Sequence, residues 1–329
     1  MMKINKKSLI IFLLLILFII FSILILNYLI GMNDNDKILK ISYISMEDKS
    51  ENLKFITQGI EQAEKDMKAK VNVCVLTDDN KIENQRNLLR KEIKNGADFI
   101  IISPIDYKEL SKDIEEANKI VPIILMDSKV ESNKKMSNIL VDNYSIGKAL
   151  AEEIIKNGNT RSIIGIVEKD INCSSLYEIK SGFMDEIKYS KNKCIDLRIN
   201  GSKESYYKQI GSQIKDNNVD VLVSFSSDIL EIISKIKEDK YYIKNKNKDV
   251  EIYGVGRSDK ILSYVENEII DAAIIKNDFN AGYLAVEIAT DKVRNTRKNR
   301  KEAKIDFLVI NKRNMYSEKN QKLIFPFIG

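Results

Sequence analysis

Apolar-rich runs alternate with amphipathic segments along most of the chain. Runs such as Phe99–Ile102, Ile163–Val167 and Ile270–Ile275 have the length of single buried strands. Between the runs, apolar residues recur at helical spacing, as in Ile229–Ile236, which predicts helices with one buried face. Continuous apolar strands separated by such helices are typical of parallel sheets covered on both faces. The pattern therefore predicts the α/β class, with a last strand at Ile305–Ile310.

The number of predicted strands bears on the domain organisation. More strand candidates follow residue 37 than one α/β core holds comfortably, and two doubly wound parallel-sheet lobes fit them better. Ligands of such sheets bind outside the carboxyl ends of the strands. Two lobes that face each other would bring these strand ends to a single cleft.

An almost uninterrupted apolar segment, residues 9–30, precedes the alternating pattern. A helix of this length spans roughly 33 Å, which is enough for a bilayer core of about 30 Å. Lys3, Lys6 and Lys7 come before the segment, and the positive-inside bias places them in the cytoplasm. We therefore expect a cytoplasmic segment over residues 1–8, followed by one transmembrane helix.

A cleaved signal peptide is the alternative interpretation of this segment. The apolar region of a signal peptide is about 7–15 residues long and ends at a small-x-small site. Residues 9–30 are longer than that and end without such a site. We expect residues 31–37 to form a linker, and the main domain of this single-pass cell-membrane protein to lie outside the cell.

The composition excludes several kinds of chemistry. The chain has 329 residues with no His and three Cys, which excludes catalytic sets built on His and zinc sites built on four thiolates or on histidines. No pair of carboxylates stands at a mechanistic spacing, and we expect no catalytic residue, metal or cofactor. The net charge is +5, and three of these charges precede the apolar segment. The remainder is nearly neutral and gives no support for nucleic-acid binding.

A series of short motifs stands in a fixed order along residues 38–310. The motifs are Gly59–Ala63, Gln85, Gly96–Pro104, Val121–Asp127, Val141–Asn143 with Gly147, Ser181–Phe183, Ser224–Asp228, Tyr253–Val255, and Ile274–Lys276 with Gly282. Their order and spacing resemble the type I periplasmic binding proteins, in the branch of ribose-, galactose- and xylose-binding proteins. The effector domains of lactose-repressor-like regulators share this fold, but a membrane segment stands here where a repressor carries its helix-turn-helix.

The resemblance implies two lobes joined by a hinge of three crossings, with capture of a ligand by hinge closure. We expect the crossings near residues 141–143, 276–277 and 305–308. The N-terminal lobe would then comprise residues 38–141 and 277–306, and the C-terminal lobe residues 142–276 and 307–329.

The resemblance also implies which polar side chains would bind the hydroxyl groups of a sugar. The retained candidates are Asp127, Asp228, Ser227, Asp142, Asn143, Asp79 and Gln85. Asp127 falls at a strand end where the family holds a ligand-binding Asp. Capping of a helix explains Asp228 equally well. A hydrogen bond that joins the lobes is as good an explanation for Asp142 and Asn143.

Several positions depart from the sugar site of the family. Ile179 replaces a pocket Arg, Gly256 with Arg257 replaces an Asp, Lys276 replaces a Gln, and Asn52-Leu53 replaces an aromatic pair. We keep Asn52, Arg257 and Lys276 as candidate contacts. The added positive charge favours a different or modified sugar, including an anionic one. A ligand that is not a sugar and the loss of ligand binding are the alternatives.

We therefore expect an extracytoplasmic solute-binding protein that is not an enzyme. It would bind a sugar or sugar-like molecule in the cleft between the lobes, for sensing beside a sensor histidine kinase or for delivery to an ABC permease. The alternative is a degenerate binding-protein fold that acts as an interaction module of a membrane sensor complex without a small-molecule ligand.

Overall fold

The computed structural model describes residues 14–25, 38–46, 51–76, 80–134, 136–169, 172–239, 250–294 and 302–324. Residues 14–25 form helix α1, whose apolar side chains are exposed. Within the described ranges, no helix combines the length and the apolar character needed to cross a membrane. The rest of the predicted anchor, together with segments 1–8 and 31–37, lies outside the described residues, so the anchor stays a prediction.

The N-terminal lobe is a parallel sheet with helices on its faces. Its strands are β1 (Leu39–Ile44), β2 (Ala69–Cys74), β3 (Phe99–Ile102), β4 (Ile123–Met126), β5 (Ser137–Val141) and β11 (Glu302–Ile305). Their order in the sheet is β11-β5-β4-β3-β1-β2, and every pairing between them is parallel. Its helices are α2 (Glu51–Met67), α3 (Lys81–Lys94), α4 (Ser111–Ala117) and α10 (Asp278–Arg294).

The C-terminal lobe repeats this architecture with one antiparallel edge. Its strands are β6 (Ile163–Lys169), β7 (Lys193–Ile199), β8 (Val221–Ser224), β9 (Glu251–Val255), β10 (Ala272–Lys276) and β12 (Phe307–Ile310), in the order β12-β10-β9-β8-β6-β7. Strand β12 runs antiparallel to β10, whereas the other pairings are parallel. Its helices are α5 (Asn143–Lys156), α6 (Ser174–Ile187), α7 (Lys203–Asn217), α8 (Ser227–Asp239), α9 (Asp259–Glu266) and α11 (Glu318–Ile324).

The apolar runs lie in the sheets because helices cover both of their faces. In β3, Phe99 and Ile101 belong to one buried cluster, and Ile100 and Ile102 belong to another. Successive side chains of a strand point to opposite faces, so a strand covered on both sides is apolar at every position. The predicted α/β class with parallel sheets is therefore confirmed.

The chain passes between the lobes after β5, after β10 and after β11. Asp142, Asn277 and Asp306 are the residues between the flanking elements. The Asn277 N–H donates to the Asp306 carbonyl at 3.0 Å, which ties two of these crossings together. The run Ile305–Ile310 forms two strands in different sheets, not the single strand that was expected, because Asp306 interrupts it at a crossing.

Helices α2 and α10 of the N-terminal lobe approach each other at glycines. A Cβ on Gly59 would lie 1.9 Å from the Phe279 carbonyl oxygen, and a Cβ on Gly282 would lie 2.2 Å from that of Ile56. Both distances are far below van der Waals contact, and the obstacles are backbone atoms that cannot rotate away. Glycine at these two motif positions therefore lets the helices pack backbone against backbone.

The C-terminal lobe contains a matching pair, helices α5 and α6. A Cβ on Gly147 would lie 1.8 Å from the Ile179 carbonyl oxygen, and one on Gly182 would lie 2.0 Å from that of Tyr144. Four glycines of the sequence motifs thus reflect two helix crossings, one in each lobe. Helix α5 leads out of the crossing after β5, and helix α10 of the other pair leads out of the crossing after β10, so the packing of the two pairs fixes how the chain leaves the hinge.

We predict that Gly182→Ala lowers the free energy of unfolding by about 1–3 kcal/mol, because the added methyl group forces α5 and α6 apart. Urea denaturation followed by circular dichroism measures the loss. Glu61→Ala, at an exposed position of α2, is the control and should change stability by less than about 0.5 kcal/mol. Equal stability of wild type and Gly182→Ala would contradict the packing described here.

Candidate functional site

A cavity of about 980 Å³ lies between the two lobes. It is lined by residues at or just beyond the carboxyl ends of strands in both sheets, where α/β folds bind their ligands. These residues are Ser45, Ser103, Met126 and Asp127 of the N-terminal lobe, and Lys169, Phe225, Gly256 and Lys276 of the C-terminal lobe. The structure therefore agrees with the prediction that the strand ends of both lobes meet at one cleft.

An ion pair crosses this cleft. Lys276, the last residue of β10, places its Nζ 2.7 Å from Oδ1 of Asp127, which directly follows β4. The side chains are 20% and 24% exposed, so the pair is partly shielded from solvent. Asp127 has a φ of +62°, a conformation that Asp tolerates better than most residues. Two candidates predicted from different parts of the sequence thus meet here.

Asn143 and Asp142 lie beside this pair and do not line the cavity. Asn143 is buried, and its amide donates to the backbone carbonyl of Asp127 at 3.1 Å, which supports the left-handed turn. Asp142 caps helix α5, since its carboxylate accepts from the Ser145 N–H at 3.0 Å. That backbone hydrogen bond is the main reason why the pKa of Asp142 lies below its ordinary value, and Lys304 at 3.5 Å adds to it.

Asp228 and Ser227 line the cavity at the start of helix α8. The Asp228 carboxylate forms an ion pair with Lys169, the last residue of β6. Lys169 is not among the candidates predicted from the sequence, although its place at a strand end is a signal that points to it. A Cβ on Gly256 would lie 2.4 Å from the Ser227 hydroxyl, so the glycine found there in place of the family's Asp allows the loop to pack on α8.

Arg257 also lines the cavity and is only 2% exposed. Its guanidinium carbon lies 3.4 Å from the centroid of the Phe55 ring, and Nη2 donates to the Ile324 carbonyl. Burial lowers the pKa of the guanidinium to about 10, while the charges of Asp278 and Asp259 act in the opposite direction.

Phe55 supplies an aromatic ring near the cleft that is not among the residues predicted from the sequence. It lies on α2, three residues after Asn52, so the ring comes later in the chain than the aromatic pair of the family. Phe55 faces the guanidinium of Arg257 and is not among the lining residues of the cavity. The side chain of Asn52 and the whole of Asp79 lie outside the described residues, so their roles stay predictions.

Gln85 lies behind the wall of the cavity and forms hydrogen bonds with residues that line it. It is fully buried, and its amide donates to the carbonyls of Ser45 at 3.1 Å and Ser103 at 2.8 Å, while its oxygen accepts from the Ile105 N–H at 3.0 Å. Ser45, Ser103 and Ile105 line the cavity, whereas Gln85 does not. The structure thus places Gln85 as a support for lining residues.

The groups at this site suit hydrogen bonding to a small polar molecule. Carboxylate oxygens, ammonium groups and serine hydroxyls from both lobes converge on one space, and apolar side chains such as Leu53 and Ile56 share its walls. Among the described residues, no group of three or more His, Cys, Asp or Glu side chains could hold a metal ion.

Comparison with known proteins identifies the family. The family model described as a periplasmic binding protein domain matches residues 43–297. The chain belongs to the periplasmic binding protein family. The predicted resemblance is therefore confirmed, and the family consists of binding proteins.

Individual relatives of the family are distant. The ribose import binding protein of Bacillus subtilis is 21% identical over 237 residues, which are 72% of this chain and 75% of that protein. A carbohydrate transporter solute-binding protein from Agrobacterium radiobacter, solved with D-arabinose, has a TM-score of 0.79 at 23% identity, over 88% of this chain and 99% of its own.

A further solved relative occurs in a complex with another protein. A chain in the structure of the XylFII–LytSN complex has a TM-score of 0.71 at 24% identity, over 84% of this chain and 99% of its own. At these identities the solved structures show the common fold, and the ligands and partners bound in them are properties of those proteins.

We predict that Lys276→Ala and Asp127→Ala are coupled by about 1 kcal/mol in a double-mutant cycle of urea unfolding, because the partly buried pair joins the lobes of this periplasmic binding protein. The exposed pair Lys188 and Asp185 is the matched control and should show a smaller coupling. Additive effects of the two cleft substitutions would contradict a pair that holds the lobes together.

For Asp142, we predict that Asp142→Ala lowers the free energy of unfolding by about 0.5–1 kcal/mol near neutral pH, through loss of the helix cap. Because the pKa of this group is lowered in the folded chain, its contribution is present above the ordinary Asp pKa and is lost as pH falls through the folded value. Unfolding curves of both proteins should therefore converge toward acidic pH, and a constant difference would refute the charged cap.

Proposed function

We propose that this chain is an extracytoplasmic solute-binding protein that binds a sugar or sugar-like small molecule in the cleft between its lobes. The observation that carries the proposal is the cavity of about 980 Å³, lined from both lobes by polar groups at strand ends. Its size lies at the upper end of the roughly 300–1,000 Å³ that is usual for small-molecule sites. Membership of the periplasmic binding protein family supports the proposal.

The chemistry of the lining favours a molecule with several hydroxyl groups. A carboxylate such as Asp127 accepts from adjacent hydroxyls, an ammonium group such as Lys276 donates to them, and both bonds are charge-assisted. The relatives also favour such a ligand, since one is a ribose import binding protein and others were solved with D-arabinose and D-fucose. We infer that such a ligand inserts between Asp127 and Lys276 and replaces their direct contact.

Hinge closure follows from the position of the site. Asp127 belongs to the N-terminal lobe and Lys276 to the C-terminal lobe, so a ligand held by both side chains links the lobes. Movement at Asp142, Asn277 and Asp306, the residues of the three crossings described above, would open and close the cleft.

The chain would present this domain outside the cell, anchored by residues 9–30. The ligand-bound domain could then deliver its solute to an ABC permease. Alternatively, a sensor histidine kinase beside it in the membrane could recognise the ligand-bound domain. The first role follows the ribose import protein, and the second follows the relative found in the XylFII–LytSN complex.

One observation favours the second candidate, an interaction module without a ligand. Four charged groups of the cleft bind one another, since Lys276 pairs with Asp127 and Lys169 pairs with Asp228. The Lys276–Asp127 pair holds the lobes together without a ligand, and this arrangement of the lobes could be what a partner recognises.

We predict that a polyhydroxylated solute raises the thermal stability of the purified full chain. A ligand at 1 mM with a micromolar Kd contributes about 4 kcal/mol to the folded state, which differential scanning fluorimetry detects readily. The screen should cover aldoses, ketoses, sugar acids and amino acids. A library without any stabilising member would overturn solute binding and leave the interaction module.

The solute found in this screen then tests the position of the site. Asp127→Ala should weaken its binding at least tenfold in calorimetry, because a charge-assisted hydrogen bond is lost. Asp185→Ala removes an exposed carboxylate of α6 outside the cavity and should bind the solute as the wild type does. Full affinity of Asp127→Ala would place the site elsewhere.

A further inference from the structure

Arg257 differs from the other cations of the cleft in how deeply it is buried. It is 2% exposed, whereas the side chains of Lys169 and Lys276 are 17% and 20% exposed. Removing a guanidinium from water is unfavourable unless acceptors replace the lost hydration. The surroundings of Arg257 therefore show whether the protein itself supplies those acceptors.

The described residues accept only part of the hydrogen bonds that this guanidinium can donate. Lys169 and Lys276 each hold a carboxylate, but the hydrogen bond of Arg257 goes to the Ile324 carbonyl. Its buried Nε has no hydrogen-bond partner among the described residues. Asp278 and Asp259 stabilise the charge through space. A guanidinium carries five N–H donors, and the Ile324 carbonyl is the one acceptor that the described residues give Arg257, so the buried Nε is left for an acceptor on a ligand.

We propose that the solute of this cleft is a sugar acid, a polyhydroxylated molecule with a carboxylate or phosphate group, and that Arg257 binds that anionic group. The proposal rests on the proposed function and specifies its ligand class. A planar guanidinium donates two parallel hydrogen bonds to a carboxylate or phosphate, which is the strongest form of such recognition. Asp127 and Lys276 would hold the hydroxyl groups of the same molecule.

The position of Phe55 explains how a ligand reaches so buried a group. Phe55 belongs to α2 of the N-terminal lobe, and Arg257 follows β9 of the C-terminal lobe. When the lobes separate, the ring moves away and the face of the guanidinium is uncovered. In the closed state the ring orients the guanidinium plane and excludes water from it.

The alternative is a purely structural Arg257 that ties the end of α11 to the C-terminal lobe and stacks on Phe55. A structural role affects stability and leaves the preference between charged and neutral ligands unchanged. The two roles therefore differ in ligand selectivity, which is the quantity to measure.

Calorimetric titration of the full chain with matched ligands tests the proposal. The pairs are D-galacturonate with D-galactose, D-glucuronate with D-glucose, and ribose 5-phosphate with D-ribose, so that carboxylate and phosphate are separate arms. We expect the acid of at least one pair to bind at least tenfold more tightly than its neutral partner. If only neutral sugars bind, the proposal fails and solute binding stands, whereas binding of none of these ligands overturns the proposal.

Variants assign the selectivity to this side chain. Arg257→Met should abolish the preference for the acid, so that the affinities for the acid and for its neutral partner differ by less than about threefold. Lys148→Met, which removes an exposed cation of α5 outside the cavity, is the charge-matched control and should keep the preference. Should Arg257→Met not fold, Arg257→Lys retains the charge without the planar fork and should reduce the preference at least threefold. An unchanged preference in the folded Arg257 variant would overturn the assignment.

Discussion

The ion pair between Lys276 and Asp127 is the contact on which the arrangement of the cleft depends. It joins the end of β10 in one lobe to the residue after β4 in the other, at a separation of 2.7 Å. Each partner is fixed from behind, since Asn143 holds the backbone of Asp127 and the sheet holds Lys276. The lobes therefore meet through two well-positioned charges. A solute that enters between them has to form hydrogen bonds with both in place of the ion pair.

The remaining features position these charges. Two glycine-lined helix pairs, α2 with α10 and α5 with α6, fix the directions in which the chain leaves the crossings after β10 and β5. Gln85 holds three lining residues in place through its hydrogen bonds. Arg257 and Phe55 add a second contact between the lobes. Packing, hinge and site are thus connected, and they form the arrangement through which we propose that the lobes close on a small molecule.

The sequence predicts most of the fold because strands covered on both faces are apolar throughout and the helices between them are amphipathic. It also selects Asp127 and Lys276, which stand directly at strand ends. It does not predict the ring of Phe55 on Arg257 or the pairing of Lys169 with Asp228, because these contacts join elements far apart in the chain. Gln85 and Asp142 have the polar character of ligand contacts, but they support backbone groups, and only the tertiary structure shows this.

A crystal structure grown with the solute that gives the largest thermal shift tests the central claim most directly. The account predicts density for the solute between Asp127 and Lys276, within hydrogen-bond distance of both, with the direct ion pair replaced by contacts to the ligand. An intact Lys276–Asp127 pair with the solute bound elsewhere would contradict it.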